Sequence, residues 1–381
     1  MPHVKRIGII VDMARSYSRK MFQGALTYAR EAGDVRFATH PAYPDFDELE
    51  KCDGAIVQAF NQGQANVVSS YDMPLVWVLS CPEYTPNPVL KPNDREVGKL
   101  VANYLIERGY RNLAYVTSNP NAEFSRLRFE GFAQVVRQHG YSEKTYPDLE
   151  SAREKGTVEA DLSGLVEWLE SQPRPLGIMA SHDTAGREIM VRLARTDLHV
   201  PEHVAVVGVD NDEAYCETVS PPLSSVALPF QKIGYEAASL LDKLMKGRPP
   251  GTQNQLFSPL DVVTRGSSDS LAVDDPLLEQ ALKFIRQHAT DKLDVSELAD
   301  QIPVSRRSLE RHFQDTFGHS PHQIITRVRV EIAKRHLADT NWLMREVAAK
   351  SGFSDAAKLS SWFKKITGMT PTEYRKKFRT P

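Results

Sequence analysis

The run Ser305-Arg306-Arg307-Ser308-Leu309-Glu310-Arg311 concentrates three guanidiniums in six residues. A guanidinium is a planar fork of donors that fits guanine O6 and N7, or a pair of phosphate oxygens. Arg307 and Arg311 stand four apart, so on a helix they share a face, with Glu310 beside them to accept from cytosine N4. A second run, Asp355-Ala356-Ala357-Lys358 with Ser360, Ser361, Lys364 and Lys365, offers alanines, hydroxyls and ammoniums; the two lysines at its far end suit phosphate. A lone basic helix is more often a solvated surface than a reader of DNA, and the duplication is what tips the balance. A further set of polar residues directly follows short apolar runs. Asp12, Arg15, Ser16 and Tyr17 come after the first run, Asp94 beside Asn93 after a later one. Ser125, Arg126 and Arg128 lie beyond Thr117, His182 follows Ala180 and Ser181, and Asp210 follows Val209. Carboxylates and guanidiniums with Tyr17, Tyr84 and Phe124 nearby suit a polyhydroxylated ligand, whose hydroxyls both donate and accept. Taken singly, an aspartate after a strand is as often a helix cap.

The spacing also excludes chemistries. Ile7-Gly8-Ile9 lies inside the first apolar run rather than after it, and no Gly-x-Gly-x-x-Gly follows. No Ser-His-Asp set and no metal-ligand spacing occurs, so no catalytic residue, metal or cofactor is expected and the chain reads as non-enzymatic. Cys52, Cys81 and Cys216 are isolated and odd in number, which fits buried free thiols in a reducing cytoplasm. No signal peptide is read at Met1–Arg6, and no apolar run approaches the roughly 18 residues of a membrane span. No membrane partner is expected.

The elements that must position the two basic runs are themselves repeated. Leu309, Phe313, Gly318, Ser320 and Pro321 recur as Leu359, Phe363, Gly368, Thr370 and Pro371, each at an offset of 50 residues. Asp294 with Glu297 forms a capping box for a helix from Val295, Pro303 breaks it, and Ser305 caps the next helix. In the second copy Leu343–Lys350 is the first helix, Ser351-Gly352-Phe353 the turn, and Ser354 the expected cap. Helix, tight turn and capped helix is the helix-turn-helix arrangement, whose second helix enters the major groove. Upstream, apolar runs at Val4–Val11, Val35–Thr39, Gly54–Val57, Leu75–Leu79, Asn112–Thr117, Leu176–Ala180 and Val204–Val209 alternate with helical segments such as Ser16–Ala32 and Ala122–His139. That alternation means parallel sheets, and a break near Pro92-Asn93 divides it into two lobes with a ligand cleft at the strands' carboxyl ends.

At 381 residues the chain holds more than one core. Its net charge of −2 hides an asymmetry: residues 274–381 carry 19 Lys+Arg against 14 Asp+Glu, the remainder 28 against 35. A basic tail on an acidic body fits a nucleic-acid module attached to something else. Two domains are expected, a sensing domain at 1–268 and a DNA-binding domain at 274–381.

Residues 276–378 resemble the DNA-binding domain of the AraC/XylS regulators. The signature is Gly352-Phe353, Trp362-Phe363-Lys364-Lys365, Gly368-Met369-Thr370-Pro371 and Glu373-Tyr374-Arg375. The resemblance implies two helix-turn-helix units joined by a long helix, here Pro321–Leu337 with Arg329-Val330-Glu331. Arg306, Arg307, Glu310, Arg311, Ala356, Ala357, Lys358, Ser360 and Ser361 then stand at base-reading positions. Pro303 replaces the usual glycine and the second reader offers alanines, so base discrimination is expected mostly from the first motif. Residues 4–265 resemble the periplasmic-binding-protein-like core of LacI/GalR regulators, on Gly24, Arg128 with Gly131-Phe132, Ser181-His182-Asp183, Val207-Gly208-Val209-Asp210 and Pro221–Val226. That resemblance implies effector contacts from Arg128, Asp210 and the Asp12–Ser18 loop, with Asp94 and His182 added. It lacks that family's amino-terminal DNA-binding headpiece. A sensor first and an AraC-type domain last resembles the xylose-operon activators. This implies operator DNA, a sugar such as D-xylose, a homodimer, and RNA polymerase as a further partner. A transport-type sugar-binding protein would not carry tandem helix-turn-helix units, and a Rossmann-type enzyme would explain the sheets alone.

Overall fold

The computed structural model describes residues 4–40, 46–59, 62–80, 85–156, 161–248, 254–269, 275–291 and 293–378, so Cys81 and Tyr84 lie outside the described residues. Strands β1 (Lys5–Ile10), β2 (Val35–His40), β3 (Gly54–Val57), β4 (Leu75–Val78), β5 (Val89–Pro92), β6 (Asn112–Val116), β7 (Glu143–Tyr146), β8 (Leu176–Ala180), β9 (Val204–Val209), β10 (Ser224–Ala227), β11 (Asn254–Phe257) and β12 (Asp261–Val263) form two six-stranded sheets. The first has the order β11-β5-β4-β3-β1-β2 and the second β12-β10-β9-β8-β6-β7. Every pair in the first is parallel, as are β6–β7, β6–β8 and β8–β9 in the second. Continuous apolar runs such as the wholly buried β9 are what strands covered on both faces require.

The chain divides into two compact units. The first comprises Met1–Gly98, Val209–Ala214 and Val226–Asp261; the second comprises Lys99–Gly208, Tyr215–Ser225 and Val262–Pro381. The expected break at Pro92-Asn93 therefore lies several residues before the boundary between Gly98 and Lys99. Asn93 and Asp94 do not open the second lobe but end the first stretch of unit one, where Asn93 accepts from the Glu96 amide at 3.3 Å to start helix Asp94–Glu107. The later returns to unit one place β11 against β5, 165 residues upstream in sequence.

Unit one is held by a close helix crossing and a buried ion cluster. A Cβ on Gly24 of helix Ser16–Ala32 would lie 1.8 Å from the Gln231 carbonyl oxygen of helix Phe230–Met245, so only glycine lets these helices meet. Asp242, 2% exposed, accepts from Lys5 at 2.6 Å, Lys246 at 2.6 Å and the Tyr28 hydroxyl at 2.9 Å. Burial alone would raise its pKa; the hydrogen bonds from Lys246, Lys5 and Tyr28 win and bring it down to about 2. A carboxyl depressed in the folded chain contributes stability that is present above its ordinary value of 3.8 and is lost as pH falls towards 2. Urea midpoints should therefore fall more steeply between pH 4 and 2 in the wild-type chain than in Asp242→Asn. Parallel acid limbs would remove Asp242 as a source of acid sensitivity.

The carboxyl-terminal helices make two small cores bridged by one helix, Pro321–Asp339. Its first half gives Ile324 and Ile325 to a core with Leu282, Leu298, Leu309 and Phe313; its second half gives Val330, Ala333 and Leu337 to a core with Val347, Leu359, Phe363 and Tyr374. Helix Pro276–His288, absent from the repeat pattern, covers the first core with Leu278, Leu282 and Ile285.

Candidate functional site

Polar side chains gather where each parallel sheet reverses its winding. In unit one the order β2-β1-β3 puts that switch at the ends of β1 and β3, the place where open α/β sheets bind ligands. Asp12 turns the chain there: its carboxylate accepts from the Ala14 amide at 3.0 Å and faces Arg15 at 3.5 Å. Arg19 fastens the same loop by donating to the Met13 and Ala14 carbonyls at 2.9 and 2.7 Å. Helix Ser16–Ala32 then starts without a side-chain cap, leaving its amino-terminal amides towards the loop. The Ser16 and Ser18 hydroxyls are buried there without a hydrogen-bond partner among the described residues. Tyr17 packs 5.6 Å from the Phe230 ring, and Gln58 stands at the end of β3 with its Oε1 buried and without a hydrogen-bond partner among the described residues. Burial raises the Tyr17 pKa, with Asp210 and Asp12 adding to the rise and Gln58 and Arg15 opposing it. Asp210 and Asn211, at the end of β9, hold φ of 110° and 49°, a left-handed strain that recurs at ligand sites. Asp94 is buried in the first turn of its helix.

In unit two the order β7-β6-β8 places the switch at the ends of β6 and β8. Arg128, 5% exposed, donates to the Ser181 carbonyl at 2.5 Å, and its guanidinium lies 5.1 Å from the Phe124 ring. His182 caps helix Asp183–Leu193: Nδ1 accepts from the Ala185 amide at 3.0 Å, which leaves Nε2–H to donate to Asn119 Oδ1 at 3.0 Å. Its ring stands 6.0 Å from Phe124. Arg128, Phe124 and His182 thus share one patch, while Ser125 turns away to the Thr117 and Tyr115 hydroxyls. The six unit-one candidates fall at or beside the ends of β1, β5 and β9. Gln58, Ser118 and Asn119 were missed, although each lies just beyond an apolar run by the rule that found the others.

The helix-turn-helix elements carry the expected caps with one correction. Asp294 accepts from the Ser296 and Glu297 amides at 2.7 and 2.9 Å while Glu297 accepts from the Asp294 amide at 3.1 Å. Ser305 caps the first reader helix, Arg306–Phe317, through the Ser308 amide. The second reader helix, Ala356–Thr367, is capped by Asp355 and not Ser354: the carboxylate accepts from the Lys358 amide at 2.8 Å, and Ser354 only supports it. A carboxylate is the stronger acceptor and also meets the positive end of the helix dipole.

On the first reader, Arg306 pairs with Glu310 at 2.9 Å and reaches Ser296 at 3.2 Å. Arg307 and Arg311 are exposed and make no hydrogen bond or ion pair with a described residue. On the second reader Ala357, Lys358, Ser360, Ser361, Lys364 and Lys365 are exposed and Ala356 half-buried; Lys365 lies over the Trp362 ring at 4.8 Å. The readers are fixed to one another. Arg329 on the bridging helix donates to the carbonyls of Ala289 at 2.7 Å, Asp291 at 3.1 Å and Leu293 at 3.0 Å. Gly352, in the second motif's turn with φ +77°, sits so close to that knot that a Cβ would lie 2.4 Å from the Ala289 oxygen. No helix of the described residues is long and apolar enough to cross a membrane.

Residues 102–268 match a periplasmic-binding-protein-like domain and residues 298–377 a helix-turn-helix domain. The xylose operon regulatory protein of Escherichia coli strain K12 is 27% identical over 97% of this chain and 96% of its own length. Its Haemophilus influenzae counterpart is 29% identical over 77% of this chain and 76% of its own. A solved xylose-binding transcription activator superimposes with a TM-score of 0.64 at 25% identity, covering 99% of both chains. With two helix-turn-helix units whose exposed arginines and lysines face outward, and with a switch-point site in each sheet, the chain is a DNA-binding transcription regulator rather than an enzyme, a periplasmic-binding-protein-like sensor joined to an AraC-type DNA-binding domain.

Proposed function

We propose that this regulator senses D-xylose or a closely similar sugar, and that the bound sugar sets its grip on operator DNA as an activator. The observation that carries the reading is the chemistry at the two sheet switch points. Unit one supplies Asp12, Arg15, Ser16, Tyr17, Asp94 and Asp210 beside the Phe230 ring, and unit two separately supplies Arg128 and His182 beside Phe124; each set holds acceptors and donors next to an aromatic face. Hydroxyl groups spaced around a sugar ring need that alternation, and aromatic faces cover the C–H surface. The full-length likeness to xylose operon regulators supports the choice of sugar. The sensor occupies 1–268 and the DNA-binding domain 274–381; the working form is a cytoplasmic homodimer that meets RNA polymerase at the promoter.

A thermal-shift screen of the full chain against pentoses and hexoses tests the effector. Sugar at 100 times its dissociation constant should add about 2.7 kcal/mol of stability. Silence across the whole panel would dispose of the sugar reading. Within a responding sugar, Arg128→Ala and Asp210→Ala should each lose about 1–3 kcal/mol of binding, because ligand hydroxyls are then buried without partners. Calorimetry gives the answer, and unchanged affinity in both would remove them from the site.

A further inference from the structure

Within unit one, the turn that carries Asp210 is held in an unfavourable backbone by a side chain from the first helix. The chain enters this unit at Val209 and leaves it after Ala214, so the turn is a short visit with little chain of its own to fix it. Asp210 and Asn211 stand consecutively at φ 110° and 49°, left-handed values that glycine adopts most freely, yet neither is glycine. Such a pair persists only where the surroundings over-determine it. Two contacts bear on it. The Asp210 amide donates to the Val226 carbonyl at 3.0 Å. Lys20, on helix Ser16–Ala32, donates its ammonium to the Asn211 carbonyl at 2.9 Å and lies 3.6 Å from the Glu213 carboxylate.

Lys20 follows Tyr17 by three residues, so both leave the same face of that helix. The helix itself is seated by the close crossing at Gly24. Asp210 is near enough to Tyr17 to oppose ionisation of its phenol. One helix thus presents a candidate contact to the effector and also pins the turn that presents another. An ammonium suits the second task, because it donates in three directions and can hold a carbonyl and a carboxylate together. We propose that Lys20 is a positioning residue of the effector site: it holds the Asp210–Asn211 turn in its left-handed form and thereby keeps the Asp210 carboxylate beside Tyr17. The inference rests on the reading of Asp210 as an effector contact.

The test uses the full chain and two variants. Lys20→Met keeps the length of the side chain and removes the donor, whereas Lys20→Arg keeps a cationic donor. Lys20→Gln takes the place of the methionine variant should that one not fold. Without sugar, hydrogen exchange of the Asp212–Ala214 amides should quicken about tenfold in Lys20→Met, the low end of what a hydrogen bond from a charged group is worth. It should stay near the wild-type rate in Lys20→Arg, and the amides of β1 should not change in either. With D-xylose as probe, calorimetry should show binding about tenfold weaker in Lys20→Met and recovered in Lys20→Arg. Adding Lys20→Met to Asp210→Ala should change the affinity by less than about twofold, because the carboxylate to be positioned is gone. A lysine that touches the sugar itself, or one that serves stability alone, would weaken binding equally in both backgrounds and overturn the proposal. Unchanged exchange in Lys20→Met would overturn it as well. Were D-xylose not to bind the wild-type chain, the sugar reading would fall, and the exchange comparison would still decide whether Lys20 holds the turn.

Discussion

Gly352→Val should destabilise the second helix-turn-helix unit by at least about 3 kcal/mol, through strain and collision together. The position holds φ +77°, which a β-branched residue adopts only at a cost on the order of 1–3 kcal/mol. The added Cβ would also stand 2.4 Å from the Ala289 oxygen and 2.8 Å from Arg329 Nε, and the oxygen belongs to backbone that Arg329 already holds. Gly368 is the control, since it has nearly the same φ, +76°, with nothing within 4 Å of its missing Cβ. Gly368→Ala should cost only the backbone term, about 1 kcal/mol, whereas Gly352→Ala should cost clearly more. Urea unfolding followed by circular dichroism compares them. Equal losses at the two glycines would mean that the contact with Ala289 carries no energy.

Arg307→Ala and Arg311→Ala should each weaken binding to the cognate duplex by about 1–3 kcal/mol and relax preference at one base pair. Both side chains are exposed on the first reader with no hydrogen bond or ion pair to a described residue, so each is available for a bidentate contact with guanine. Arg306 and Glu310 pair with one another at 2.9 Å on the same exposed face, so a contact from Glu310 to cytosine would be made beside Arg306. Removing Glu310 should free Arg306 and alter the base preference less than removing Arg307. Lys364→Ala and Lys365→Ala should weaken cognate and scrambled duplexes alike and lower the salt slope by about one. Binding across a salt series decides the matter. Equal weakening on both duplexes by the arginine variants would make them phosphate clamps.

Much of this was legible because buried parallel strands are uninterrupted apolar runs. Gly54–Val57, Leu176–Ala180 and Val204–Val209 are strands with the boundaries read from composition, and helix Ser16–Ala32 is likewise unchanged. The edge strands β7 and β11 were not legible, whereas the apolar edge strand β2 was. Glu143–Tyr146 and Asn254–Phe257 carry polar residues on faces that nothing buries, so no period marks them. The returns of the chain to unit one rest on contacts far apart in sequence, which local pattern does not encode. At the sites, residue type gave the reader arginines and the switch-point carboxylates. Their partners were hidden: Arg329, satisfied by three carbonyls 36 to 40 residues away, reads from the sequence like any surface charge on a helix.

The knot of Arg329, Ala289 and Gly352 has a consequence for the promoters this protein serves. Because it removes the hinge between the readers, the spacing of their two recognition elements becomes as much a part of the signal as the bases. One inserted base pair displaces the second element by about 35° around the duplex, since a turn holds about 10–10.5 pairs. Promoters under this regulator can drift by substitution, one contact at a time, but an insertion or deletion between the elements is silenced at once unless a whole turn is added or lost.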